Sequence, residues 1–410
     1  MSEVQLSLHI PEPLRRPGER ADFSHLRIPP AGALARPPVD APAGELHELA
    51  YGLIRVLDEE GHAVGAWQPA ASPDTLCRGL RAMLLTRAFD ERMSRAQRQG
   101  RTSFYLKSRG EEAVACAQAL ALEPDDMCFA SYRQPGLLIA RGYPLVEMMN
   151  QVFSNARDPL KGRQLPVLYS SRRHGFFTLS ANVATQYCQA VGWAMASAYR
   201  GDHRIASAWV GEGSTAEGDF HHGLTFAAVY RAPVVLNIVN NQWAISSFAG
   251  VAGAETAPFA ARAIGYGLPG LRVDGNDFLA VLAATAWASA RARANLGATV
   301  IELFTYRAES HSSSDDPSKY RPADEPQAWP LGDPIERLRR HLGRSGALSD
   351  AQFEALRQET DAAVREAARE AEAIGTLGKS RADPATLFED VFEQPDWRLV
   401  EQARRLAPRE

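Results

Sequence analysis

Between about residue 110 and residue 305, short runs rich in β-branched and aromatic residues alternate with longer stretches whose apolar positions recur at helical spacing. The runs that read as strands are "MCFASY" (127–132), "RIASAWV" (204–210), "PVVLNIV" (233–239), "LRVDG" (271–275) and "TVIELFTYR" (299–307). Helical periodicity covers "VATQYCQAVGWAMASAYR" (183–200), "AEGDFHHGLTFAAVYR" (216–231) and "DFLAVLAATAWASARARANLG" (277–297). Such alternation predicts βαβ units with right-handed crossovers, hence a doubly wound α/β fold: a mainly parallel sheet with helices on both faces.

The flanks differ. Residues 1–45 are proline-rich ("RIPPAGALARPPVDAPAG") and lack periodicity, so they are expected as an arm laid across this subunit or a neighbour. "LIRVLDEEGHAV" (53–64) reads as a short hairpin, and Ser72-Pro73 open a long helix that Gly100 ends. Beyond about 330 come charged, alanine-rich helices, the first capped by Asp333 with Pro334 in its first turn; the second carries only a thin stripe of Phe353, Leu356 and Val364. The expected organisation is therefore an arm (1–45), one α/β domain (46–330) and a C-terminal helical extension packed on that domain (331–410).

Composition narrows the class. The 410 residues are 45% hydrophobic and carry a formal charge of −4, with nothing resembling a nucleic-acid-binding footprint. Cys77, Cys116, Cys128 and Cys188 lie far apart without CxxC spacing, which argues against zinc or a disulfide framework and for a reducing cytoplasm. The first twenty residues hold no apolar signal core, and no membrane-spanning run is expected.

Ligands of open parallel sheets bind beyond the carboxyl ends of the strands. There the chain places Tyr132-Arg133, Gly211-Glu212-Gly213-Ser214, Asn240-Asn241 and "AESHSSSDD" with His311. Glu212 supplies a charged oxygen and Asn241 a neutral one, and backbone near Trp243 could present a carbonyl, a donor set that suits Mg²⁺ with a bound phosphate. Glycines 211 and 213 allow the backbone close to a bulky anion, and a helix starting near Ala216 would aim its amides at the same spot. Arg133 adds a fixed cation. Together these describe a metal-bridged diphosphate site. Two other readings stay open: "GEGSTA" also fits the loose dinucleotide fingerprint, although its next strand ends in amides rather than an acid, and Glu212 could be a solvated loop acid. His221 and His222 lack the HExxH order of a zinc site, and His311, Ser312 and Asp315 lie too close in sequence to build a hydrolase triad.

The segment from Gly211 to Asn241 resembles the thiamin diphosphate signature. Over about 50–395 the chain is similar to the alpha chains of the thiamin diphosphate-dependent 2-oxo acid dehydrogenases, through "TSFYLKSRGEEAV", "SYRQPGLLIARGYPL", "ANVATQYCQAVG", "NNQWAIS" and "TYRAESHSSSDDPSKYR". "KGRQLPVLYS" favours the branched-chain members over pyruvate or acetoin dehydrogenase alpha chains. The resemblance implies metal ligation by Glu212, Asn241 and the Trp243 carbonyl, and cofactor contacts from Tyr132, Arg133, Gly211, Gly213 and Ser214. It gives Ala181 and Val183 to the aminopyrimidine and His311, with Tyr132, to the reacting centre. Ser312 matches a position phosphorylated in some relatives. Ser180, Asn182, Thr185 and Gln186 match a loop that binds a monovalent cation such as K⁺ in others. Glu212 stands where the wider thiamin family more often has aspartate, and Val239 where relatives often carry a phosphate-binding arginine. No stretch remains for a second, pyrimidine-binding sheet or its activating glutamate, so the resemblance implies a beta subunit in an α₂β₂ assembly. It also implies a lipoyl-bearing acyltransferase core and a small 2-oxo acid substrate.

Overall fold

The computed structural model describes residues 7–380, 382–390 and 392–406. Its strands are β1 (Met127–Phe129), β2 (Ala206–Gly211), β3 (Val234–Asn240), β4 (Trp243–Ala244), β5 (Ser247–Phe248), β6 (Gly270–Asp274) and β7 (Thr299–Phe304). Five form one parallel sheet in the order β1-β2-β3-β7-β6, while β4 and β5 make a separate antiparallel ribbon. The helices are α1 (His47–Tyr51), α2 (Pro73–Arg98), α3 (Glu112–Ala121), α4 (Pro135–Ala140), α5 (Leu145–Phe153), α6 (Thr185–Arg200), α7 (Gly218–Val229), α8 (Phe278–Arg293), α9 (Glu325–Ala328), α10 (Pro334–Arg344), α11 (Asp350–Ile374) and α12 (Trp397–Leu406).

The central strand shows why the sheet is covered twice. Every residue of β3 is buried; Val234, Leu236 and Ile238 join the core under α6 and α7, and Val235 and Val239 join the core that holds α3 and α8. A strand buried on both faces reads as an unbroken apolar run. Asn237 interrupts that run without penalty, because its Nδ2 donates to Ser207 Oγ at 3.0 Å and its Oδ1 accepts from Gln118 Nε2 at 2.6 Å.

Ser72 caps α2 and Asp333 caps α10, as expected, and Ser349 forms a capping box on α11. Asp277 does more: one oxygen caps α8 through Leu279 and Ala280, and the other accepts from the N–H groups of Val56 and Leu57 at 2.8 and 2.6 Å. That anchoring explains a difference from the expected hairpin at 53–64. Ile54 bridges in parallel to Val273 and extends the sheet edge, and only the Leu57–Ala63 turn is antiparallel.

The arm runs over its own subunit. Phe23 packs edge-on against Tyr306 and Trp329, and the Trp67 and Trp287 indoles donate to the carbonyls of Ala35 and Pro37. At the other end, α11 packs on α2 and α5 through Thr360, Val364, Ala368 and Ala371, whereas α12 buries no residue. Among the described residues no helix is long and apolar enough to cross a membrane.

Candidate active site

In the β2–β3 ladder Gly211 faces Val239, so the residues that follow each strand emerge side by side. The backbone N–H of Asn241 donates to Glu212 Oε2 at 3.3 Å. Successive residues of a strand point to opposite faces, and the two amides diverge accordingly. Asn240 donates to Glu302 Oε1 at 2.8 Å, while Asn241 Nδ2 donates to Glu111 Oε1 at 2.8 Å. Asn240 thus turns to Glu302 on β7 and Asn241 to Glu111, on the side of Glu212.

Glu111 and Arg307 are the two site residues that sequence reasoning missed. Glu111 immediately precedes α3, after a turn in which Gly110 has φ 95° and lies so close to the Tyr306 carbonyl that a Cβ would come within 2.3 Å of it. Glu111 and Glu212 are 2% and 1% exposed, and each keeps one carboxylate oxygen, Oε2 and Oε1 respectively, without a hydrogen-bond partner. Burial pushes both carboxyls up to about 7, against the pull of Arg133 and Arg307 on each. The orphaned, buried oxygen of Glu212 beside the Asn241 amide is a donor set that suits a hard cation. The residues therefore fit Mg²⁺.

Arg133 is 3% exposed and tied at its tip, with Nη1 donating to the Lys107 carbonyl at 2.6 Å and Nη2 to the His311 carbonyl at 2.9 Å. Tyr132, Arg133, Ser180, Ala181, Val183, Gln186, Gly211, Ser214 and Asn241 line one cavity of about 40 Å³. That space suits an ion or a phosphoryl oxygen; whole-ligand pockets run from roughly 300 Å³ upward. Ala181 and Val183 lie exposed on its rim, so the wall expected to hold a pyrimidine faces outward. Larger cavities of about 600 and 640 Å³ lie under the arm and beside residues 308–333; Arg133 lines neither, and Glu212 and His311 line none of the three.

The turn after β2 departs from the expected helix at Ala216. Gly213–Ala216 form a 3₁₀ turn, and α7 begins only at Gly218. A Cβ on Gly211 would meet only Ser214 Oγ, at an ordinary contact distance of 4.0 Å, whereas one on Gly213 would sit 2.6 Å from Ala244 Cβ. Gly213→Val should therefore push the β4–β5 ribbon away and cost about 1–3 kcal/mol in denaturant unfolding. Gly211→Ala should unfold like the wild type.

Trp243 and His311 are organised by Arg307. Its Nη1 donates to the Trp243 carbonyl at 2.7 Å, and its Nη2 to the Ile245 carbonyl at 2.9 Å and to Tyr320 Oη at 2.7 Å. The carbonyl expected as a third metal ligand thus already accepts one hydrogen bond. His311 packs edge-on to Tyr132, ring centroids 5.8 Å apart, with Nδ1 facing Arg133 Nη2 at 3.3 Å and Arg307 Nη1 at 3.4 Å. Burial first, then these two guanidiniums, push its pKa down to about 4. His311 is therefore neutral near pH 7; Nδ1 accepts and Nε2 carries the proton. A depressed histidine contributes stability that is complete above its unfolded value near 6.5 and is lost as pH falls toward 4. Limited proteolysis of the 308–321 loop should accelerate between pH 6.5 and 4.5, and His311→Asn should flatten that dependence. Ser312 in the same loop is 8% exposed.

In the 180–186 loop, Gln186 Nε2 donates to the Ser180 carbonyl at 3.3 Å and Thr185 Oγ1 to the Asn182 carbonyl at 2.9 Å, while Gln186 Oε1 is buried without a partner. His221 and His222 are exposed, and His221 bonds Tyr266 rather than a metal-ligand cluster.

A family model described as "Dehydrogenase E1 component" matches residues 80–379, and one described as "2-oxoisovalerate dehydrogenase E1 alpha subunit N terminal" matches residues 4–44. The chain belongs to the dehydrogenase E1 component family, whose members use thiamin diphosphate. It is 58% identical over 408 residues to the 2-oxoisovalerate dehydrogenase subunit alpha of Pseudomonas aeruginosa, covering 99% of this chain and 100% of that one. It is 39% identical over 357 residues to the mitochondrial subunit of Mus musculus (87% of this chain, 79% of that one) and 40% identical over 351 to subunit alpha 1 of Arabidopsis thaliana (85% and 73%).

Proposed function

We propose that this chain is the alpha subunit of a 2-oxoisovalerate dehydrogenase, which decarboxylates branched-chain 2-oxo acids and passes the acyl group to the lipoyl arm of an acyltransferase. One observation carries the reading: at adjacent strand ends Glu212 accepts from the Asn241 N–H through one oxygen and keeps the other without a partner, in a chain so similar to such subunits. When bound, thiamin diphosphate supplies a nucleophilic carbon and an electron sink for the loss of CO₂. The chain's own residues bind and orient. Glu212, Asn241 and the Trp243 carbonyl would hold Mg²⁺, and Arg133, Tyr132 and the amides of Gly211, Gly213 and Ser214 would hold the diphosphate. Ala181 and Val183 would meet the pyrimidine. His311, neutral with its proton on Nε2, would donate a hydrogen bond beside the reacting carbon. Gln186 Oε1 would serve a K⁺ ion in the 180–186 loop.

The reading includes a beta subunit in an α₂β₂ assembly, with docking on a lipoyl acyltransferase core. The small cavity and the outward-facing Val183 support it, since a second surface is needed to enclose a cofactor. A cytoplasmic location is part of the proposal, supported by four unpaired cysteines. The test is reconstitution. The lone chain should neither turn over substrate nor retain thiamin diphosphate, and the assembled pair should prefer 2-oxoisovalerate to pyruvate. Turnover by the lone chain would remove the shared-site claim; a preference for pyruvate would make this a pyruvate dehydrogenase subunit.

A further inference from the structure

An asparagine can offer a cation either its carboxamide oxygen or its NH₂, and only the oxygen binds. A half-turn of that group would convert a ligand into a repellent. Two contacts fix its orientation at Asn241: Nδ2 donates to Glu111 Oε1 at 2.8 Å, and Oδ1 accepts from the Trp243 N–H at 3.4 Å. The shorter of them is the stronger constraint. Glu111 Oε1 accepts from the amide nitrogen at 2.8 Å, so the nitrogen faces Glu111 and the oxygen is turned away from it. Glu111 is buried, its Oε1 also lies 3.7 Å from Arg133 Nε, and its Oε2 has no partner. Packing alone does not explain it, since burying a carboxylate with a spare oxygen is costly and an apolar residue of similar volume would avoid that cost.

We infer that Glu111 is a positioning residue of the metal site: by accepting from Asn241 Nδ2 it keeps Asn241 Oδ1 available as a ligand, alongside Glu212. The inference rests on the metal reading of Glu212 and Asn241 and extends it to a residue outside both strand-end motifs. Its acceptor role is separable from its charge, because glutamine at 111 can still accept from Asn241 through its own carbonyl.

The experiment titrates Mn²⁺ into the assembled alpha–beta complex with saturating thiamin diphosphate, reading free Mn²⁺ by electron paramagnetic resonance. Removing a group that orients a ligand weakens metal binding about 10- to 100-fold, which is the expectation for Glu111→Leu; Glu111→Gln should stay within about threefold of the wild type. Should the leucine variant fail to fold, Glu111→Met, apolar and unbranched like the native side chain, removes the same acceptor and should weaken Mn²⁺ binding by the same factor of about 10 to 100. Wild-type affinity in Glu111→Leu would overturn the inference and leave the metal reading standing. So would equal weakening of the glutamine and leucine variants, or wild-type affinity in Glu111→Met. A wild-type complex that binds no Mn²⁺ would instead overturn the metal reading.

Discussion

Glu212→Gln should lose thiamin diphosphate-dependent turnover in the assembled enzyme while making the unliganded chain more stable. Both effects have one cause. The Glu212 carboxyl is buried, keeps an unpartnered oxygen, and is pushed up to about 7 chiefly by burial. An acid raised in this way contributes stability that is complete below its unfolded value near 4.5 and is lost as pH rises through about 7. At pH 8 the ionised group therefore weighs against folding by on the order of 3 kcal/mol, which the neutral amide would recover. Divalent cation binding reverses the balance, and losing a charged ligand that contributes several kcal/mol corresponds to about a 10³-fold drop in kcat/KM. Calorimetry of the apo chain and decarboxylation by the complex read the two halves separately. A lower melting temperature together with retained activity would show that Glu212 is structural.

Arg307→Met should destabilise the chain by about 3 kcal/mol or more and release the 308–321 loop. The side chain is fully buried and donates to the carbonyls of Trp243, Ile245 and Glu309 and to Tyr320 Oη. Methionine fills the volume but strands these acceptors, and a buried bond to a charged donor is worth about 1.5–3 kcal/mol when lost. Because several bonds share one guanidinium, their losses do not add in full. Arg307→Lys keeps the charge without the planar fork and should fall between methionine and the wild type. Denaturant unfolding gives the stability, and the rate of proteolysis within 308–321 reports the loop.

The local signals in the sequence were reliable where a residue acts on its own neighbours. Ser72 and Asp333 cap the helices they precede, and the apolar runs at 204–210, 233–239 and 299–307 form the three central strands. Glu212 and Asn241 were found because a parallel sheet brings consecutive strand ends together. Boundaries drifted where side chains intervene. The run at 127–132 pairs only as far as Phe129, because the N–H of Ser131 turns to Gln134 Oε1 at the entry to α4. The run at 299–307 leaves regular pairing at Phe304, although the N–H groups of Thr305 and Arg307 still donate to the carbonyls of Asn240 and Asn241. Glu111 was invisible for a different reason: it meets Asn241 across 130 residues, and neither periodicity nor spacing encodes that contact. Arg307 read as the polar end of a strand, and only folding shows it buried against Trp243.

The most direct test of the shared strand-end site is anomalous diffraction from crystals of the assembled complex grown with Mn²⁺ and thiamin diphosphate. A manganese peak about 2.1 Å from a Glu212 oxygen and from Asn241 Oδ1 is the predicted result. A peak bound elsewhere, with those two side chains held apart, would contradict it.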